Sequence, residues 1–264
     1  MRSYKIIYLL ASMLLTFSFW GCKKVIDVDL KNAATQLVIT GEVNNRPGPY
    51  HVNISQSVNF SSDNTFPPVS GAFVTITGNG LVDTLTEKTP GDYTTRLFTG
   101  VPGFTYQLYV ETGGHVYTAT STMPQPVHLD SITFVEGGLS NDIYPVVNFQ
   151  DPAGVANFYK FKESVKGEAF PDGRGNAVFD DQFSDGRYIN LTLYSTDSSD
   201  IKSGMKLTVE MNCVDENVYN YLNGLLQISS PGSPSPGNPP SNISGGALGY
   251  FSANTKTARV VDVP

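Results

Sequence analysis

The residues of this 264-residue chain with chemical potential are two cysteines, three histidines and one acidic run. Cys22 follows Gly21 at the end of an apolar stretch, residues 6–20, that begins after the cations Arg2 and Lys5. A positive start, a short apolar run and a small residue at the boundary form an export signal. The run is shorter than the roughly 20 residues of a comfortable membrane span. A small residue directly before a cysteine is what a lipoprotein signal peptidase accepts, although Phe19 and Trp20 are bulkier than the residues usual there. Cys22 is therefore expected to become the first residue and to carry acyl chains. At about 0.8 kcal/mol per buried methylene, two or more chains anchor a protein stably. The expected relation to the membrane is a lipid anchor at Cys22, not a span.

With Cys22 acylated, Cys213 has no partner for an intramolecular disulfide. It continues an alternating strand pattern and reads as a small packed residue. His51, His115 and His128 sit in or beside predicted strands, without HExxH or paired-histidine spacing. A zinc site needs three or four convergent ligands, and this spacing offers none. Asp180, Asp181 and Asp185, the last followed by Gly186, could hold calcium through hard oxygen ligands. The spacing fits no EF-hand loop, and Asp185-Gly186 reads more simply as a turn between strands. Gly245-Gly246-Ala247-Leu248-Gly249 resembles a phosphate-binding loop but lacks the strand before it and the helix after it that give such a loop its mechanism. It reads as a turn into a strand. No nucleophile elbow or P-loop occurs. No catalytic residue, metal or cofactor is expected, and the protein is not expected to be an enzyme.

Charge narrows the partners. The full chain carries a net charge of −7, and removing residues 1–21 takes away two cations and no acid. The mature chain, at −9 with 24 acidic and 15 basic residues, lacks the basic footprint of a nucleic-acid binder. Docking on anionic lipid by charge is disfavoured for the same reason. Fourteen tyrosines and fifteen phenylalanines accompany a single tryptophan, Trp20, inside the signal. A glycan ligand would have to be met by Tyr and Phe instead of Trp, and a peptide is the other ligand class open to such a surface.

The elements that must position these residues are mostly strands. Residues 22–35 read as a tether. From about residue 36, apolar and polar residues alternate with a period of two, as at Tyr106, Leu108 and Val110 against Gln107, Tyr109 and Glu111. Gly113-Gly114 marks a tight hairpin, and Thr89-Pro90-Gly91-Asp92 another turn. Short strands at this spacing imply a β-sandwich of immunoglobulin-like or transthyretin-like size over residues 36–122. Pro124 and Pro126 disfavour a central strand, so residues 123–128 read as a linker. A second β-sandwich-like domain, 129–264, is expected beyond it.

In that second half the clearest strands lie at 188–194 and 205–212. Val218, Tyr221, Leu222 and Leu225 form one stripe at helical spacing, with Asp215 placed to cap its start. The reading is an all-β chain carrying one amphipathic helix over residues 215–228. Residues 229–246, rich in Pro, Gly and Ser, are expected to hold no regular element. Two strands, 247–253 and 258–263, are expected to close the chain.

Three segments carry a family resemblance: Gly21-Cys22-Lys23-Lys24-Val25-Ile26-Asp27, the run from Phe149 through Asp151-Pro152-Ala153-Gly154 to Tyr159, and the run from Asn238 through Asn242 to Phe251. Nearly end to end, the chain resembles a Bacteroidota outer-membrane lipoprotein family known as a domain of unknown function, number forty-two forty-nine. The resemblance implies an accessory protein of the cell envelope, encoded near TonB-dependent transporters, and it brings no catalytic residues. The expected function is a non-enzymatic binding or accessory component that works with such a transporter in nutrient capture. The rivals are a structural or adhesive envelope protein without a small ligand and a polysaccharide or peptide hydrolase, which would need two facing acids across a cleft. Asp27 and Asp29 behind Cys22 favour the surface-exposed leaflet over the periplasmic one. The expected interaction surface is Pro231, Pro234, Pro236, Asn238, Pro239, Pro240 and Asn242, with Tyr250 and Phe251 behind them.

Overall fold

Strand follows strand because short period-two segments are punctuated by glycines, which supply the left-handed backbone that tight turns require. A computed structural model describes residues 35–58, 65–137, 142–171, 174–194, 200–229 and 238–264. The expected signal and lipidation site, the expected tether as far as residue 34, and Pro231, Pro234 and Pro236 lie outside the described residues. Gly113 and Gly114 both adopt positive φ, 58° and 76°, the conformation a two-residue hairpin with the right twist requires. They join β7 (Thr105–Thr112) to β8 (His115–Thr122).

The first core lies between two sheets. One contains β1 (Leu37–Asn44), β2 (His51–Gln56), β5 (Thr86–Thr89) and β6 (Asp92–Thr94). The other contains β3 (Phe73–Gly78), β4 (Leu81–Thr84), β7 and β8. Ile39, Val43, Val52 and Ile54 meet Val74, Ile76, Tyr106, Leu108 and Val110 in its interior.

The second core lies between a three-stranded sheet and the rest of the large one. The three strands are β9 (Ser131–Glu136), β10 (Ile143–Gln150) and β14 (Tyr188–Thr192). Facing them are β11 (Phe158–Val165), with β12 (Glu168–Ala169) and β13 (Asn176–Asp180) at its side, and β15 (Lys206–Val214). Phe149 packs its ring 4.9 Å from Tyr159 and 6.1 Å from Phe161, against Leu207, Val209 and Met211.

One strand serves both cores. The two expected closing strands are a single 15-residue strand, β17 (Leu248–Asp262). Its first half pairs in parallel with β1, from Val38↔Leu248 to Asn44↔Asn254. Its second half pairs antiparallel with β15, from Cys213↔Thr255 to Lys206↔Asp262. Phe251 and Ala253 enter the first core, and Val261 packs against the second. The polar run between them, which reads as a break in the sequence, has backbone partners in the segment that leads into β9. Thr257 Oγ1 donates to the Val127 carbonyl at 3.4 Å, and Arg259 Nε to that of Leu129 at 2.5 Å. Residues 243–253 thus belong to the first core, although the expected division placed them in the second domain. A nine-stranded sheet runs through both, in the order β12, β11, β15, β17, β1, β2, β6, β5, with β13 also on β11.

The helix forms where its stripe predicts, as α1 (Glu216–Ser229). Asp215 Oδ1 accepts the Val218 N–H at 2.9 Å, the N-cap bond. Its other oxygen accepts from Ser121, whose Oγ in turn accepts the Ala253 N–H at 2.7 Å. This buried chain ties the helix start to β8 and β17. No helix among the described residues is long and apolar enough to cross a membrane. The Pro/Gly/Ser stretch is not wholly irregular: β16 (Ile243–Ser244) adds to β8, because Ile243 reaches the first core.

Candidate functional site

The outer face of the large sheet is polar where α1 leaves it open. Strand alternation sends Ile39, Val43, Phe251 and Ala253 inward and their neighbours outward. Register then builds rows across three adjacent strands. Asn53 (β2), Thr40 (β1) and Tyr250 (β17) form one row; Glu42 and Ser252 form the next, and Asn44 and Asn254 follow. A groove of about 320 Å³ lies over these rows, floored by Thr40, Glu42, Asn44 and Asn53 and flanked by Tyr50, His51 and Tyr250. That volume is at the small end of ligand sites, roughly 300–1,000 Å³.

Charges in the groove are paired. Lys256 Nζ lies 3.4 Å from Glu42 Oε1 and 3.2 Å from Glu210 Oε1. Burial pushes the Glu42 carboxyl up, but the Lys256 and Lys160 ammoniums outweigh it and hold the group below its ordinary range. Burial likewise pulls Lys256 down, and Glu42 and Glu210 outweigh it, so its ammonium is held above the usual lysine range. Asn44 Nδ2 donates to Glu42 Oε1 at 2.9 Å, and His51 Nδ1 lies 2.9 Å from Asp92 Oδ1. Tyr50 is an anchor of the fold: its hydroxyl sits 2.5 Å from the Asn44 carbonyl and accepts the Gly100 N–H at 3.0 Å.

By contrast, the side chains of Thr40, Asn53 and Tyr250 make no hydrogen bond among the described residues. The Tyr250 ring is steadied from the side by Tyr221 of α1, centroids 5.1 Å apart. In the same sheet, the buried amide oxygens of Asn212 and Asn254 also lack a partner among the described residues. A larger depression of about 410 Å³, near Pro124, Val155, Phe158 and Val214, is mainly apolar.

The structure redistributes the residues singled out in the sequence. Phe251 is fully buried, so it leaves the expected interaction surface. Tyr250 and Phe251 are neighbours in a strand and point to opposite faces, so only Tyr250 reaches the groove. Asn242 acts structurally: its Oδ1 accepts the Phe251 N–H at 2.9 Å and its Nδ2 donates to the Phe251 carbonyl at 2.7 Å, as a neighbouring strand would. Asn238 Nδ2 reaches Gln36 Oε1 at 3.4 Å. Pro239 lies against Gly224 of α1, and Pro240 is exposed beside it.

The acidic run also divides. Asp181 and Asp185 come together with Asp151, their ligand oxygens within 4.8 Å of one another, as the one such group among the described residues. Asp180 turns away and accepts the Tyr219 hydroxyl at 2.5 Å. Donors engage the three carboxylates. Asp151 accepts Tyr159 Oη at 2.5 Å and Gly186 N–H at 2.9 Å, Asp185 accepts Gly154 N–H at 2.7 Å, and Asp181 accepts Asn157 Nδ2 at 3.3 Å. These bonds lace residues 151–157 to 181–187. Burial, then the bond to Asp151, drives the Tyr159 phenol far above its ordinary range. Asp151 was missed because it stands 29 positions before Asp180, inside the motif from Phe149 to Tyr159.

His128 pairs with Asp130 at 2.8 Å, and His115 is exposed at the start of β8. Cys213 is buried, and burial pushes its thiol up, away from the reactive thiolate.

A comparison with curated proteins returns no match. A family profile matches residues 23–259, which span both cores, the groove and the acidic cluster. Both internal motifs that suggested the family are now accounted for physically, one lacing two loops and the other docking β16 and β17 on the first core. The chain belongs to the family described as Domain of unknown function (DUF4249).

Proposed function

We propose that the protein is a non-catalytic binding component of the cell envelope, anchored to the outer membrane by acyl chains on Cys22. It works with a TonB-dependent transporter in nutrient capture. The observation that carries a binding role is the groove on the large sheet. It combines internally paired charges with three uncommitted hydrogen-bonding side chains held on rigid neighbouring strands. The lipid anchor, the outward-facing leaflet and the transporter partnership rest on residues 1–29 and on the family resemblance. A spacer or adhesive role needs no such groove.

The test is a pull-down of the tagged full chain from detergent-solubilised native outer membranes, read by mass spectrometry, with Cys22→Ser alongside. The wild type should partition into the membrane fraction and recover one stoichiometric TonB-dependent transporter. Cys22→Ser should lose membrane partitioning. A wild-type chain that recovers no transporter above background sinks the accessory role.

A further inference from the structure

We infer that the row Asn53–Thr40–Tyr250 is the contact line for an uncharged saccharide, which deepens the binding role proposed above and rests on it. The row crosses β2, β1 and β17 in register. At about 4.8 Å between neighbouring strands it presents three hydrogen-bonding groups over about 10 Å. An amide, an aliphatic hydroxyl and a phenol together donate to and accept from hydroxyl groups, and the Tyr250 ring adds an apolar surface for the C–H side of a sugar ring.

Charge selects among ligands. Glu42 is engaged by Lys256 and Asn44, and His51 by Asp92, so among the described residues no free charge in the groove is left to pair with a charged ligand. A sulfated or uronate-bearing glycan would meet the Glu42 carboxylate without gaining a cation. Backbone geometry disfavours an extended peptide. β1 and β2 are paired on both sides, and the edge of β17 over residues 249–253 that faces away from β1 is taken up by the side chains of Ser241, Asn242 and Ser121, so among the described residues the groove offers no open strand edge for a peptide to extend. The ligand must be read by side chains standing on the sheet, which suits a hydroxyl-rich molecule lying across the strands.

The experiment uses the purified full chain in detergent on an array of neutral, sulfated and uronate-containing oligosaccharides together with unmodified peptides. The best neutral binder is then titrated by calorimetry against the wild type, Thr40→Val, Asn53→Ala and Tyr250→Phe. Tyr194→Ala, at an exposed tyrosine away from the groove, is the control, and near-ultraviolet circular dichroism checks each fold. Neutral glycans should bind in preference to anionic ones. Each row variant should weaken binding about tenfold with its fold intact, and Tyr194→Ala should bind as the wild type does. Binding confined to anionic glycans or to peptides, no binding at all, or row variants that bind like the wild type would overturn the inference. Transporter recovery in the pull-down separates the two ideas: a transporter recovered without any neutral glycan bound removes the saccharide and leaves the accessory role standing.

Discussion

Glu42 and Lys256 show how single residues tune this sheet face. The carboxyl of Glu42 titrates below its ordinary 4.5 when folded, so its contribution to stability is present above that value and lost as pH falls through the depressed one. Lys256 titrates above its ordinary 10.5, so its contribution is present below that value and lost as pH rises through the raised one. The pair is partly exposed, and its net worth is about 1 kcal/mol. Glu42→Gln should cost about that much in urea unfolding at pH 7, and the cost should shrink as the pH falls through the depressed titration of the wild-type carboxyl. A loss that stays the same as the pH is lowered would show that Glu42 acts through packing and not through its charge. None of this coupling is visible in the sequence, where Glu42 and Lys256 stand 214 positions apart. Of the groove residues, Thr40 and Asn53 were equally hidden. Thr40 and Asn53 are ordinary strand residues until register sets them side by side.

At the level of elements, β17 depends on one glycine. Gly249 adopts a φ of 99°, and a Cβ there would lie 2.0 Å from the Ile39 carbonyl oxygen in the paired strand β1. Gly246, three residues earlier, has a similar φ of 86° but open space around its Cβ position. Gly246→Ala should therefore cost about 1 kcal/mol for the backbone alone. Gly249→Ala should cost more than about 3 kcal/mol, because a backbone carbonyl cannot yield as a side chain can. Urea midpoints of the two variants check this, and equal midpoints would mean that β1 and β17 separate easily. The sequence suggested that 245–249 is a turn into a strand, and so it is. It could not show that Gly249 also admits a parallel neighbour.

Across the whole molecule, β17 couples two hydrophobic cores. Residues 35–264 form one compact unit in which β17 contributes inward side chains to both cores. Ser121 and Asp215 add a second link between β8 and the helix. Losing either core strips β17 of half its pairing, so the cores should unfold together. With the sole tryptophan at position 20, tyrosine fluorescence and near-ultraviolet circular dichroism are the probes for the mature chain. They should report one coincident urea transition. Two separated transitions, one for each core, would show that β17 is only a covalent strap.

What the sequence determined by itself is what short-range chemistry encodes: the all-β class from period-two alternation, the hairpin at Gly113-Gly114, and the capped helix after Asp215. Local sterics and one buried face suffice for these. Tertiary structure alone decided the long strand shared by two cores, the burial of Phe251 beside an outward Tyr250, the meeting of Asp151 with Asp181 and Asp185, and the row of Asn53, Thr40 and Tyr250. Each depends on strand register between segments far apart in the chain. A period of two says that a residue faces one side or the other, and only the pairing partner says which side and beside whom.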